Sequence, residues 1–536
     1  MQHIFIEYVY LILFILALVM LANKLRLAYP IVLVLGGLAL SFADEFSRIT
    51  IDPELVFFIF LPPLLYEAAW QVSWKEFWKW RRVIISFAFP IVIMTASVVA
   101  LFANAFIPGF TLALGFLLGG IVSPPDAISA TTIMRNVKVP KVSVSIAEGE
   151  SLLNDASSLI VFRFALAAVL TGQFVFQEAV TDFFLVVIMG TLIGLIVGLF
   201  FYAIHRWLPT TSSIDIVLSF VTPYCMYYFA ELFHYSGVLA VVSGGLLLSS
   251  KRQTMLTHVS RIQGANVWST IGFVMNGFIF LLIGLQLPSI VAQLDTVSLS
   301  NAIGYGLLIS VVLMVTRLVC ALGASVFTRF MSHFITVAVA NPGWRGPVVL
   351  GWAGMRGVVS LAAALSIPVM TDAGQAFPQR ELILFITFVV ILVTLVFQGL
   401  TLPWVIRKMK LEEPDGHIPE EKQELIIQKK LSKTALDFLA DKYPDKVEAN
   451  MHLKNLQQRF EAESQYFSIA VENEGHAPNS MAEHQRIVLD LLDVQRKLLH
   501  KMNRHSEFDE DLIRKYLSII DLEEFKIREK LLVQDE

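Results

Sequence analysis

Residues 123–127 read Ser-Pro-Pro-Asp-Ala and lie in the middle of an apolar stretch that runs from about residue 110 to 134. Two consecutive prolines remove two backbone N–H donors and clash with the preceding turn, so a helix must break here. Asp126 follows at once, in a stretch where an unpaired charge is expensive. Irregular backbone at membrane depth is tolerated only inside protein or beside a water-filled cavity, and such breaks form ion sites in transporters. The motif therefore predicts a broken membrane helix at an ion site.

Charge is scarce in the first three quarters of the chain and abundant in the last quarter. Of 536 residues, 56% are hydrophobic and 16% are charged, whereas soluble domains have about 25% charged residues. Residues 1–406 contain 20 Lys+Arg and 18 Asp+Glu, while residues 407–536 contain 21 and 27. This segregation predicts a membrane domain over 1–406 and a soluble tail over 407–536. The net charge of -4 lacks a basic block, so nucleic acid is not an expected partner.

Apolar windows predict an all-α polytopic membrane protein with about thirteen spans. Their bounds are roughly 4–23, 28–43, 54–70, 83–108, 110–134, 143–171, 179–207, 214–234, 236–250, 266–292, 301–328, 346–370 and 381–406. Alternate loops contain 18 Lys and Arg residues, and the loops between them contain only Arg48 and Arg380. Because cytosolic loops carry the excess of positive charge, the N-terminus is predicted outside the cell membrane and the tail in the cytosol.

The spans are predicted to form an inverted six-helix repeat, with copies at 1–175 and 211–406 and a connector at 176–210. In each copy the second span is short and the fifth is interrupted. Ser-Pro-Pro-Asp-Ala interrupts the first copy, and Gly351, Gly354 and Gly357 interrupt the second. A single intervening span gives two six-span copies opposite orientations in the membrane.

The sixth span carries the residues that predict the ion site. Residues 149–155 read Gly-Glu-Ser-Leu-Leu-Asn-Asp. Positions four apart share a helix face, so Ser151 stacks with Asp155 and Glu150 with Asn154. A carboxylate, hydroxyl groups and the free carbonyls of the facing break form a hard oxygen cage that suits Na+, with Li+ or K+ as other candidates. Asp155 and Ser151 are thus the predicted Na+ ligands, and the further residues predicted at the ion- and proton-binding site are Glu150, Asn154, Ser123 and Asp126.

Three other charges have more than one interpretation. Arg356 lies in the interrupted twelfth span, where a buried arginine needs a partner, and Glu150 is the predicted one. Glu150 is alternatively a ligand of the ion, directly or through water. Asp126 either lines the ion path or caps the broken half-helix. Arg163, two turns after Asp155, either tunes the field at the site or pairs with another carboxylate.

Asp155 is also predicted to bind a proton, because a low-dielectric environment favours the neutral form of a carboxyl group. Competition between a cation and a proton for one carboxylate is the simplest exchange mechanism, and it requires no cofactor. A cation channel would favour a symmetric pore-forming repeat instead. An intramembrane hydrolase would need paired aspartates in a GxGD-like setting, an HExxH motif or a Ser/His dyad. The sequence has none of these, so an enzyme is not expected.

Four motifs in order along the chain resemble a known family. They are FIFLPPLLYEAA (58–69), SPPDA (123–127), GESLLND (149–155) and GMRGVVSLAAAL (354–365). Together they resemble the bacterial monovalent cation/proton antiporters of the NhaP type, which are relatives of the eukaryotic sodium/proton exchangers. The resemblance covers about residues 4–406.

The resemblance implies thirteen spans, crossing broken fifth and twelfth helices, a homodimer and an elevator-like cycle. It implies that Asp155 binds the ion and the proton, that Ser151 is a ligand or near-ligand, and that Glu150 pairs with Arg356. Electrogenic relatives have Asp-Asp where this chain has Asn154 and Asp155, so electroneutral one-for-one exchange is expected.

The break departs from the family pattern. Many members read Thr-Asp-Pro-Val-Ala, so Ser123 takes the threonine position and can still supply an oxygen ligand. Pro124 replaces the family's aspartate, and Asp126 is shifted by two positions. The role of Asp126 therefore does not follow from the resemblance.

The tail has apolar positions at helical spacing within charged runs, for example over 424–439, 485–499 and 512–532. This pattern predicts a small helical domain that packs on itself, on the membrane face or on the partner protomer.

Overall fold

The computed structural model describes residues 2–42, 56–137, 139–172, 176–292, 294, 297–334, 343–371, 374–411, 420–472, 480–503 and 509–535. Within these residues every named element is helical, which confirms the predicted all-α class. Residues 1–413 and 414–536 form two compact units.

The first unit contains eighteen α-helices among its described residues, and three short π-helical segments. The α-helices are α1 Gln2–Leu25, α2 Tyr29–Leu40, α3 Leu61–Gln71, α4 Trp74–Ser86, α5 Val92–Phe106, α6 Leu112–Val122, α7 Ala127–Asn136, α8 Lys141–Thr171, α9 Phe176–Trp207, α10 Ser212–Leu232, α11 Gly237–Met255, α12 His258–Leu285, α13 Leu287–Ala292, α14 Leu299–Met331, α15 Arg345–Trp352, α16 Val358–Leu365, α17 Arg380–Val393 and α18 Gly399–Met409. The π-helical segments are Val56–Phe60, Phe87–Ile91 and Thr394–Gln398.

Eight helical stretches of the described chain are long and apolar enough to cross a membrane. They are Trp74–Phe106, Leu112–Asn136, Lys141–Thr171, Val180–Trp207, Ser212–Leu232, His258–Ala292, Leu299–Met331 and Arg380–Met409. Two shorter apolar helices are Val9–Leu25 and Tyr29–Leu40. The count of thirteen spans and the inverted repeat remain predictions, because several predicted spans consist of pieces too short to cross alone.

One face of α9 carries a stripe of large apolar side chains. Phe184, Ile188, Leu192, Ile196 and Phe200 recur every four residues and are all exposed. A continuous apolar stripe of this length is unfavourable in water and typical of a surface that faces lipid.

Helix α6 breaks where the two prolines predict. It ends at Val122, and α7 begins at Ala127 after the cap residue Asp126. Upstream of the break, α6 packs closely on α5 because glycine leaves room for the neighbouring backbone. A Cβ atom at Gly115 would lie 2.6 Å from the carbonyl oxygen of Ala100. Small residues allow this kind of close helix packing in membranes, and the packing fixes the position of the break.

The second interruption separates α15 from α16. The helix ends at Trp352, residues 353–357 are irregular, and α16 begins at Val358. The two breaks touch directly, because the backbone N–H of Asp126 donates to the carbonyl oxygen of Met355 at 2.6 Å. The first break therefore provides a hydrogen-bond donor for a backbone carbonyl group of the second.

The second unit consists of helices in its described residues, as the tail pattern predicts. They are α19 Glu420–Lys442, α20 Pro444–Ala449, α21 Met451–Glu472, α22 Ser480–Met502 and α23 Glu510–Asp535. Helix α19 packs on α21, and α22 packs on α23. The cytosolic location of this unit and the predicted boundary at 406–407 remain predictions.

Candidate ion-binding site

A cavity of about 320 Å³ lies beside both breaks. The first break contributes residues 124–127, the second contributes residues 357–360, and α8 contributes Ser151 and Asp155. Helices α3 and α12 form much of the remaining wall. The two breaks, which lie more than 200 residues apart in sequence, and the motif on α8 thus meet at one cavity.

Asp155 is the one predicted ligand whose charged group has no protein partner. Its side chain lies on the cavity wall and the residue is only 7% exposed. No hydrogen bond or ion pair within the described part of the chain reaches its carboxylate. A buried carboxylate without a partner is costly unless a proton or a cation compensates it. This position is therefore suited to bind one or the other.

Ser151 lies one helical turn before Asp155 and lines the same cavity, as their spacing predicts. Its hydroxyl oxygen accepts a hydrogen bond from the backbone N–H of Ala127 at 3.3 Å. A hydroxyl oxygen has two acceptor lone pairs, so this bond leaves one for a cation. The same bond ties α8 to the first residue of α7.

Asp126 caps the half-helix α7. Its carboxylate accepts hydrogen bonds from the backbone N–H groups of Ile128 and Ser129, at 3.1 and 3.4 Å, and from the Ser129 hydroxyl at 2.7 Å. An aspartate at this position satisfies N–H groups that have no partner within the helix. Asp126 also lines the cavity, so the structure places it at both of its predicted locations while its carboxylate is occupied by the cap.

The predicted ion pair between Glu150 and Arg356 is not the pair that the structure forms. Glu150 instead contacts Arg317 of α14, with the Nη2 atom of Arg317 2.8 Å from Oε1 and 2.9 Å from Oε2. Both side chains are buried, and Glu150 does not lie on the cavity wall. Glu150 pairs with Arg317 because Arg317 is a second buried cation in the same region, and Arg356 finds acceptors on the backbone.

Arg356 is completely buried and binds backbone carbonyl groups of both breaks. Its Nε atom donates to the carbonyl of Val122 at 2.8 Å, its Nη2 atom donates to that of Ser123 at 3.2 Å, and its Nη1 atom donates to that of Gly354. These carbonyls lie at the ends of α6 and α15, where the last turn of a helix has free acceptors and partial negative charge. The carbonyls expected to form the ion cage are therefore largely taken by an arginine.

Two further predicted ligands lie off the cavity wall. The side-chain amide of Asn154 donates from Nδ2 to the carbonyl of Pro125 at 3.2 Å, and the residue is fully buried. Ser123 is also buried, and its hydroxyl has no hydrogen-bond partner among the described residues. In this conformation, both residues stabilise or adjoin the break without facing the cavity.

Glu67 of α3, which lies in the motif of residues 58–69, also lines the cavity. Its Oε1 atom accepts a hydrogen bond from the side chain of Gln71 at 3.0 Å. Gly272 of α12 makes room for it, since a Cβ atom there would overlap the carboxylate of Glu67. The signals in the sequence were its position in this motif and the presence of a charge near the end of an apolar span.

Within the described residues, no group of three or more His, Cys, Asp or Glu side chains is arranged to hold a metal ion.

The chain matches known transporters over most of its length. The model of the transmembrane sodium/hydrogen exchanger family matches residues 10–408. A low-affinity Na(+)/H(+) antiporter of Synechocystis, NhaS1, is 31% identical over 389 residues, which are 72% of this chain and 70% of that protein. A sodium, potassium, lithium and rubidium/H(+) antiporter of Bacillus pumilus is 33% identical over 392 residues, 71% of this chain and 58% of that protein.

The similarity extends beyond the membrane unit in one group of relatives. An uncharacterised Na(+)/H(+) exchanger of Mycobacterium tuberculosis is 29% identical over 515 residues, 95% of this chain and 93% of that protein. The solved structure of the sodium proton antiporter MjNhaP1 from Methanocaldococcus jannaschii shares the fold, with a TM-score of 0.60 and 15% identity. The match covers 76% of this chain and all of that one. These matches agree with the resemblance of the four motifs, and the chain belongs to the sodium/hydrogen exchanger family of multi-pass membrane transporters, among its NhaP-type antiporters.

Proposed function

We propose that this protein exchanges Na+ or Li+ for H+ across the cell membrane, and that Asp155 carries both substrates in turn. The family supports cation/proton antiport in general. The observation that supports this particular site is the carboxylate of Asp155, which lies on the cavity wall without a protein partner. Ser151 supplies a second oxygen for the cation from one turn away.

Competition at this carboxylate explains exchange without any cofactor. A proton or a monovalent cation each neutralises the one negative charge of Asp155, and a neutral site crosses a low-dielectric barrier at lower cost than a charged one. The empty, charged site is the species that crosses with most difficulty. The chain therefore couples the two fluxes because only a loaded site moves.

The expected stoichiometry is one cation for one proton. Asn154 has no charge to titrate, and its amide holds the carbonyl of Pro125. On α8, Glu150 is paired with Arg317 and Glu148 with Arg135, so Asp155 is left as the carboxylate of α8 whose charge can change during the cycle. A site with one titrating carboxylate exchanges charge for charge and generates no membrane potential.

K+ is the second candidate substrate. Two Bacillus relatives are named as sodium, potassium, lithium and rubidium/H(+) antiporters. A carboxylate and a hydroxyl group bind hard monovalent cations without strong selection by charge. The broad cation range in the names of these relatives favours exchange of K+ for H+ at Asp155 as the second candidate function.

The broader proposal keeps the architecture expected from the sequence. Thirteen spans in an inverted repeat place the N-terminus outside and the tail in the cytosol. Two protomers form a homodimer surrounded by membrane lipid, and the site moves in an elevator-like cycle. The charge asymmetry of the loops supports the orientation.

The test is ion-driven proton movement in proteoliposomes that contain the full chain, a pH dye inside and a potential-sensitive dye. Addition of Na+ or Li+ outside should move protons without a sustained potential. Proton movement driven by K+ but not by Na+ would support the second candidate. A cation flux that generates a potential without moving protons would show a channel and contradict both candidates.

A further inference from the structure

A second cavity, of about 380 Å³, lies beyond Asp155 along the same helix. Asp155 lines the first cavity, whereas Leu159, Ile160 and Arg163 of α8 line the second. With a rise of about 1.5 Å per residue, Arg163 lies roughly 12 Å along the helix from Asp155. Helix α8 thus passes from one cavity to the other.

The half-helix α16 connects the same two cavities. Its first residues, Val358 to Ser360, line the first cavity, and its C-cap residue Ser366 lines the second. Two elements of the ion site, one from each half of the chain, therefore have one end in each cavity. The two cavities lie where two opposite access routes to Asp155 would have to lie.

An ion pair joins the walls of the second cavity. The Nη2 atom of Arg163 lies 2.7 Å from Oε1 and 2.8 Å from Oε2 of Glu231. Arg163 belongs to α8, which carries Asp155, while Glu231 lies in the last turn of α10. Glu231 also accepts a hydrogen bond from the backbone N–H of Gly237, at the start of α11, at 3.2 Å. The pair therefore links α8 to two helices that do not line the first cavity.

The exposure of this pair distinguishes it from the buried pair of Glu150 and Arg317. The side chains of Arg163 and Glu231 are 46% and 25% exposed, whereas those of Arg317 and Glu150 are 3% exposed. Breaking a partly solvated pair costs little, because water replaces the lost contact. A buried pair is costly to break. Arg163 and Glu231 can accordingly separate and re-form during each cycle.

We infer that the second cavity is the other end of the ion path, and that the Arg163–Glu231 pair holds α8 in the position in which Asp155 lines the first cavity. Arg163 and Glu231 are positioning residues for transport, since they act through the position of α8. The inference rests on the proposed exchange at Asp155. It also explains why an arginine lies on the ion path: its charge is neutralised by Glu231 while Asp155 lines the first cavity.

The test measures which cavity is open, without relying on transport. Two serines provide matched reporters when each is changed to cysteine, Ser366 in the second cavity and Ser269 in the first. Cys225 and Cys320 are replaced by alanine in the full chain. A membrane-impermeant maleimide is then added to either face of the reconstituted protein, and the labelling rate of each reporter is followed by mass shift.

Arg163→Gln and Glu231→Gln should each speed labelling of Ser366→Cys about fivefold and slow that of Ser269→Cys, since an exposed pair contributes up to roughly 1 kcal/mol. The charge-reversed double variant Arg163→Glu/Glu231→Arg should restore both rates. Arg496→Gln is the matched control, because it breaks an Arg–Asp pair of similar length in the tail. It should change neither rate.

The outcomes separate this inference from the proposed function. Unchanged labelling in both single variants, with cation/proton exchange intact, would overturn the role of the pair and leave the proposed function standing. Faster labelling of both reporters together would also overturn it, because it would indicate general loosening. A chain that labels as expected but shows no exchange with any cation would contradict the proposed function instead.

Discussion

At the scale of single residues, the three carboxylates among the predicted ligands differ in the partners that they have. Asp126 caps a helix with three hydrogen bonds, and Glu150 is paired with Arg317. The carboxylate of Asp155 has neither kind of partner in the described part of the chain. Because an unpaired buried charge is costly, Asp155 is the group whose state a passing cation or proton changes most.

Removal of Arg317 tests the buried pair. Arg317→Gln should lower the free energy of unfolding by about 3–5 kcal/mol, because it leaves Glu150 buried without a cation. The measurement is equilibrium unfolding in detergent. The double variant Glu150→Gln/Arg317→Gln should recover much of the loss. If Glu150→Gln instead rescues Arg356→Gln and fails to rescue Arg317→Gln, the pairing seen in the structure is wrong.

The sequence predicted the residues that share a helix face better than it predicted their partners. Ser151 and Asp155 line one cavity because they are four positions apart on one helix. The partner of Glu150 lies 167 positions further along the chain. Arg317 is one charge in a long apolar helix, and no local pattern indicates which carboxylate such a charge meets. For the same reason, the sequence did not indicate that Arg356 binds backbone carbonyl groups.

At the scale of helices, the two breaks act as one structure. The break at residues 123–126 follows from the chemistry of proline, and the one at 353–357 lies in a stretch rich in glycine. Their contact could not be predicted from either stretch alone, because it depends on a hydrogen bond from Asp126 to Met355 and on the reach of Arg356. The arginine replaces the intrahelical bonds that both helix ends have lost.

Gly357 tests the close approach of the breaks. A Cβ atom there would lie 2.9 Å from Cβ, Cγ and Oδ2 of Asp126. Gly357→Ala should therefore push the breaks apart and destabilise the fold by about 1–3 kcal/mol, the usual cost of overpacking. Gly346→Ala is the control, since no atom lies within 4 Å of the added carbon. Equal unfolding curves for the two variants would contradict the described packing.

The tail provides a pH-dependent test at the same scale. Hydrogen bonds from Arg496 and Arg528 lower the pKa of Glu524, which lies on α23. Since the pKa of Glu524 is lowered in the folded state, its ionised form stabilises the fold. This stabilisation is fully present above the unfolded-state pKa of about 4.3 and is lost as the pH falls through the folded-state pKa. Arg496→Gln should thus speed hydrogen exchange in α22 at pH 7.

The difference in the hydrogen-exchange rate of α22 between Arg496→Gln and the unchanged chain should shrink once Glu524 is protonated. The comparison is made on the full chain in detergent at pH 7 and again below pH 4 (each pH with both proteins, because exchange chemistry itself depends on pH). A difference that persists undiminished in acid would show that Arg496 acts through packing instead of charge.

At the scale of the whole molecule, composition and the segregation of charge sufficed to predict a helical membrane domain followed by a charged tail. The spacing of apolar residues in the tail predicted that the tail is helical as well. The family match over residues 10–408 and the fold shared with MjNhaP1 confirm the class. The number of spans was harder to predict, because broken and short helices do not meet the length of a simple span. The arrangement of helices around the site depends on contacts between distant segments, which hydropathy does not report.

The two cavities that α8 lines are the two candidate access routes to Asp155. The carboxylate of Asp155 opens to the first cavity, and α8 and α16 continue to the second. In the proposed exchange, the site meets one cavity at a time, and the ion or proton bound to Asp155 permits the change from one cavity to the other.

The most direct measurement of this account compares Asp155→Asn with Asp126→Asn in proteoliposomes that report internal pH. Both variants remove one carboxylate from the same cavity by the same substitution. Asparagine caps a helix about as well as aspartate does, so Asp126→Asn should retain Na+-driven proton movement. Asp155→Asn should fold and show none. Retained exchange in a folded Asp155→Asn protein would contradict the account, because the ion and the proton would then bind elsewhere.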